Sequence, residues 1–78
     1  MLIDYYSKNE LKKLFLAVCD ELESKNKAKE KYFEDLKREV LEYPHFNILV
    51  NLCDLLANYY DLLDRETILQ FIRTVQSL

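Results

Sequence analysis

The chain contains no glycine and a single proline, Pro44, in 78 residues. Hairpin turns of types I′ and II′ need positive φ and usually recruit glycine, so a sheet built from hairpins is not expected. The same lack removes the P-loop and the dinucleotide fingerprint, whose glycines let backbone approach phosphate. Histidine occurs once. The neighbours of His45 are Tyr43, Pro44 and Phe46, which offer no local ligand set for zinc and no partner for acid–base chemistry. The chain also lacks a basic surplus. Its net charge is −3, whereas general nucleic-acid binding draws much of its affinity from neutralised phosphates. None of its apolar runs approaches the ~20 residues of a membrane-spanning helix. Met1 leads into Leu2, Ile3 and Asp4 without the basic region and apolar core of a signal peptide. A cytoplasmic protein without catalytic residues, metal or cofactor is therefore expected.

Half of the residues are hydrophobic and 32% are charged, a globular balance rather than a disordered one. The length allows one domain, residues 1–78, near the lower limit for a self-sufficient core. Leucine, lysine and glutamate are plentiful, which suits helices. Four helices can be placed. Ser7 and Glu10 form an S-x-x-E capping box, with Tyr6 and Leu11 placed for a hydrophobic staple. Leu11, Leu14, Phe15, Val18, Cys19 and Leu22 then recur at spacings of three and four, one stripe of an amphipathic helix. A second helix spans about 27–42, with Ala28 or Lys29, Tyr32, Phe33, Leu36, Val40 and Tyr43 on its inner face. Its outer face sets opposite charges four apart, as in Glu34–Arg38, Lys31–Asp35 and Arg38–Glu42. Pro44 stops it and holds Tyr43 extended.

The third helix, about 46–62, is apolar over most of its circumference. Its polar residues Asn47, Asn51, Asp54, Asn58 and Asp61 fall on one narrow stripe. Such a helix is normally buried on several sides, so it is expected to be the central helix of the bundle or to offer surface to a partner. The fourth helix starts from Asp64 as N-cap, with Leu63 and Ile68 as a staple. Ile68, Leu69, Phe71, Ile72, Val75 and Leu78 form its inner face. Short connectors favour antiparallel neighbours. The expected fold is all-α, a small antiparallel up-down four-helix bundle. Cys19 and Cys53 are expected as reduced, buried small hydrophobes; the sequence leaves a disulfide between them open.

The candidate contact residues follow from two features. Six tyrosines in 78 residues is rich, and tyrosine suits half-exposed contact surfaces. Tyr59 and Tyr60 end the third helix, and adjacent helical residues diverge by about 100°, so both cannot face one core line. With Tyr6, and with Leu56 and Leu63 near the same end, they form the predicted partner surface. The second feature is the acidic cluster Asp20, Glu21 and Glu23. Negative charge is unfavourable at a helix C-terminus, which marks Asp20 and Glu23 as candidates for a basic partner.

The segment Leu11–Leu22, the charged Tyr32–Tyr43, then Phe46-x-x-Leu49-x-x-Leu52-x-x-Leu55-Leu56-x-x-Tyr59, and the capped helix with Ile68-Leu69-x-Phe71, together resemble the enterocin A-type immunity proteins of pediocin-like bacteriocin producers. The resemblance covers roughly residues 10–78. It implies a small cytosolic four-helix bundle that protects its cell from a bacteriocin exploiting a membrane sugar transporter. The partner would be a protein, such as a bacteriocin–receptor complex or a toxin, with no small-molecule substrate. An alternative is a homodimeric regulatory or antitoxin-like module, with nucleic-acid contact through Lys25–Lys31 and Lys37–Arg38.

Overall fold

A computed structural model describes residues 5–77, with side chains described from Asn9 onward. Four helices and no strand occur among them. They are α1 (Tyr5–Lys25), α2 (Glu30–Glu42), α3 (Ile48–Tyr59) and α4 (Arg65–Gln76), with 3-10 turns at Lys27–Lys29 and Tyr60–Leu62. The all-α, four-helix expectation holds. No helix of the described residues is long and apolar enough to cross a membrane.

The centre is α1, not the third helix. It packs against each of the other three helices, and Phe15, Val18, Cys19 and Leu22 are fully buried. The reason lies in length and pattern. At 1.5 Å per residue, 21 residues make a rod of about 32 Å, long enough to carry a continuous stripe under all its neighbours. Helix α3 buries Ile48, Leu52, Leu55 and Leu56 but leaves Val50, Cys53 and Ala57 exposed. Its surplus apolar residues therefore face outward. Cys53 is exposed and Cys19 buried, and both are free thiols; the expectation of two buried cysteines fails for Cys53.

The ends of the helices also differ from expectation. Helix α1 already runs at Tyr5, so Ser7 lies inside it and is not its N-cap. The proposed contact of Tyr6 with Leu11 lies outside the described side chains, as does Leu78. Helix α2 is preceded by a 3-10 turn, and its inner face narrows to Phe33, Leu36 and Val40. Ala28, Tyr32 and Tyr43 are exposed. On the outer face Arg38 bonds Asp35, at 3.0 Å and three residues away, rather than Glu34 or Glu42. Tyr43 is extended, with φ −102° and ψ 112°, as the following proline requires. Asn47 is the N-cap of α3, its Oδ1 accepting from the Val50 N–H at 3.0 Å. It closes the start of the helix as well as belonging to its polar stripe.

Candidate functional site

Hollows among the described residues include two of similar size. One lies at the junction of α3 and α4, about 530 Å³, with Tyr60, Asp61, Leu63, Arg65, Ile68 and Leu69 along it. The other, about 560 Å³, lies between α1 and the α2–α3 connection, with Val40, Leu41, Tyr43, Phe46 and Ile48 among its walls.

The structure distributes the predicted contact residues over distinct environments. Tyr60 is 60% exposed, because the chain tightens from α-helix to 3-10 turn at this residue and throws the ring outward. Tyr59 points the other way. Its ring stands 5.3 Å from Phe33, edge to face at 75°, and its hydroxyl accepts from Lys29 Nζ at 3.1 Å. The Lys29 ammonium is 5.5 Å from the ring centroid. That distance follows from the bond to the hydroxyl, so the ammonium lies beyond the ring's polar tip rather than over its face. The divergence of neighbouring helical positions thus separates one packed and one exposed tyrosine. Leu56 and Leu63 are buried in the core, and Leu63 also lines the hollow beneath Tyr60. The side chain of Tyr6 lies outside the described residues.

Asp20 and Glu23 meet a basic group within the chain itself. Lys37 Nζ is 2.7 Å from each, joining α2 to α1. Hydrogen bonds to Asp20 and then Glu23 hold the Lys37 ammonium well above the usual lysine range. The same lysine, as the largest influence, draws Glu23 below the usual carboxylate range. A hydrogen bond to Glu23 raises the nearby Glu34. Glu23, Glu30 and Glu34 bring carboxylate oxygens within 4.8 Å of one another, the donor set a hard cation would use. Glu30 and Glu34 are exposed, and Lys37 already balances Glu23. Beneath this network, burial pushes the Cys19 thiol up to about 12, which removes it as a nucleophile at neutral pH.

Sequence reasoning missed the clasp made by Glu21 and Lys25. Glu21 Oε2 accepts from the Asp64 N–H at 2.6 Å, and Oε1 accepts from the Thr67 hydroxyl. Lys25 Nζ donates to Glu21 at 3.1 Å, to Asp64 Oδ1 at 2.8 Å and to the Leu62 carbonyl at 2.7 Å. Asp64 sits at the N-cap of α4, but its carboxylate makes no capping bond, because Lys25 holds it. Glu21 instead does from α1 what the third-position glutamate of a capping box does from within a helix: it takes the N-cap N–H. Burial alone raises the Glu21 pKa, but bonds from Thr67, Asp64 and Lys25 outweigh it and hold the carboxyl below its usual value. The i, i+4 spacing of Glu21 and Lys25 was the available signal, but it says nothing of the third partner, 43 residues away.

No protein-family model matches the chain, and no curated protein or solved structure matches it either.

Proposed function

We propose that this bundle is a non-enzymatic protein-binding module that works by occluding its partner, in the manner of the bacteriocin immunity proteins it resembles. The observation that carries this reading is Tyr60. A large ring with an apolar body and a polar tip stands 60% exposed at the rim of a hollow whose walls include Leu63, Ile68 and Leu69. Tyrosines in such settings are common anchors of protein interfaces. Asp61 and Arg65 at the same rim supply charges of both signs for orientation. Cys19 is sealed and raised in pKa, and Asp20, Glu21 and Glu23 of α1 are held by lysines.

The basic residues invoked for the nucleic-acid alternative are partly engaged within the fold. Lys25, Lys29 and Lys37 all bond groups of the chain itself. The protein-binding reading therefore ranks first.

The test is protection in cells. The chain is expressed in a Gram-positive strain sensitive to pediocin-like bacteriocins, and survival is measured across a panel of them. Protection by the wild-type chain, lost in Tyr60→Ala at unchanged helicity and melting temperature, is the expected outcome. Absence of protection against the whole panel removes the immunity reading. Equal protection by Tyr60→Ala removes the assigned surface.

A further inference from the structure

The second hollow has features that the proposed partner surface does not use. Its floor is Val40, Phe46 and Ile48, and its rim carries Leu41 and Tyr43. Leu41 is 60% exposed and Tyr43 is 58% exposed. Tyr43 is held out by local covalent geometry, since the residue before Pro44 must be extended. Leu41 lies outside the buried stripe of α2, Phe33, Leu36 and Val40. One small patch therefore holds an apolar cavity and the apolar projections that could fill one.

The rim charges are of opposite sign. Lys12 enters from α1 and Glu42 from the end of α2. Among the described residues neither forms an ion pair. Glu42 is also poorly placed for its own helix. It occupies the last turn of α2, which carries no basic residue, where the helix dipole disfavours an anion.

We propose that this patch is the interface of a weak, reversible homodimer, in which Leu41 and Tyr43 of each copy enter the hollow of the other. A two-fold interface must be self-complementary, because the same patch meets itself after rotation by 180°. Projection beside cavity and cation beside anion satisfy that requirement. The rotation sets Lys12 of one copy against Glu42 of its partner, and the misplaced anion at the end of α2 gains a counter-ion. The area available sets the strength. A stable interface takes about 800 Å² per partner, about one seventh of the 5581 Å² surface of this chain. The hollow and its rim supply only part of that, which places the dimer among the small, transient interfaces. This inference does not depend on the bacteriocin reading or on Tyr60.

Sedimentation equilibrium on the full chain, from low micromolar to about 1 mM, is the measurement. A monomer–dimer equilibrium is expected. Leu41→Asp should raise the dissociation constant at least about tenfold while far-UV circular dichroism and the melting temperature stay near wild type. Lys12→Glu and Glu42→Lys should each weaken association about threefold, and more at low salt. The double variant Lys12→Glu/Glu42→Lys should recover it, because only residues opposed across the interface exchange charge without loss. A chain that stays monomeric at the highest concentration overturns the proposal. So does a dimer unchanged by Leu41→Asp, or a double charge swap no better than its single variants. Binding of a small apolar dye in the hollow by a strictly monomeric chain would assign the site to a ligand and likewise overturn it.

Discussion

Replacing Glu21 tests how α4 is held to the rest of the bundle. In α4 only Thr74 is buried, and Ile68 and Phe71 are partly buried against the core. Apolar burial by this helix is therefore modest, and the clasp at its start carries weight. Glu21→Ala removes the acceptor of the Asp64 N–H and of the Thr67 hydroxyl, while Lys25 keeps Asp64 as its counter-ion. The Glu21 side chain is 16% exposed, so water recovers part of each lost bond. Taking ~1 kcal/mol for each of the two bonds, below the ~1.5–3 kcal/mol of bonds to charged groups because water reaches the site, gives a loss of about 2 kcal/mol. For a domain of this size that lowers the melting temperature by roughly 8–16 °C. Urea denaturation gives the free energy, and hydrogen exchange gives its location: α4 amides should lose protection before those of α1. The pH dependence adds an independent reading. The folded pKa of Glu21 lies below the ordinary glutamate value of 4.5. Its contribution is therefore full above 4.5 and is lost as the pH falls through that value to the lowered folded pKa. The stability difference between wild type and Glu21→Gln should shrink over the same window. A loss under about 0.5 kcal/mol in Glu21→Ala, the scale of an ordinary surface change, or a difference independent of pH, refutes the reasoning.

Further outcomes follow from the same contacts. Phe33→Ala empties a fully buried site and should cost about 3–5 kcal/mol by denaturant titration, enough to threaten folding in a chain this short. Tyr59→Ala removes a ring packed on Phe33 and should lower the melting temperature measurably, whereas Tyr60→Ala should change stability by less than about 0.5 kcal/mol; the reverse order contradicts the placement of the two rings. In native protein a thiol reagent should titrate the exposed Cys53 readily, and Cys19 only after denaturant is added; two equivalents reacting at once without denaturant would show that Cys19 is not sealed.

Much of the fold was legible because apolar spacing is a local property. The positions from Leu11 to Leu22 name both the helix and its buried face, and Pro44 names the end of α2. Helix centrality was not legible. The apolar surplus of α3 pointed to the middle of the bundle, yet α1 sits there, because its length lets one stripe serve three neighbours. The end of α1 was misread for a related reason. Asp20, Glu21 and Glu23 are unfavourable by the helix dipole alone, which suggested an external basic partner. Lys37 answers Asp20 and Glu23 from α2, and the start of α4 joins the local Lys25 in answering Glu21, contacts set by how α2 and α4 approach. The two tyrosines were separable only as a pair: helical geometry says that Tyr59 and Tyr60 diverge, and Phe33 decides which one turns inward.

Those acids give the bundle a common logic. An anion that a helix end disfavours in isolation becomes a joint once a donor from another element reaches it, Lys37 for Asp20 and Glu23 and the Asp64 N–H and Thr67 hydroxyl for Glu21. Asp20 and Glu23 tie α1 to α2 through Lys37. Glu21, with Lys25, ties α1 to the start of α4. Glu42 has the same local disadvantage at the end of α2, yet among the described residues no cation reaches it. Lys37 offsets Asp20 and Glu23 across helices, whereas Lys25 offsets Glu21 from within the same helix. Lys12 lines the same hollow as Glu42, but among the described residues the two are not paired. In the proposed dimer Lys12 of a second copy supplies that cation, with Leu41 and Tyr43 supplying the apolar area around the ion pair. The charge-swap double variant therefore tests more than an oligomeric state: recovery of the dimer would show the cross-helix pairing that holds the bundle together continuing across an interface between chains.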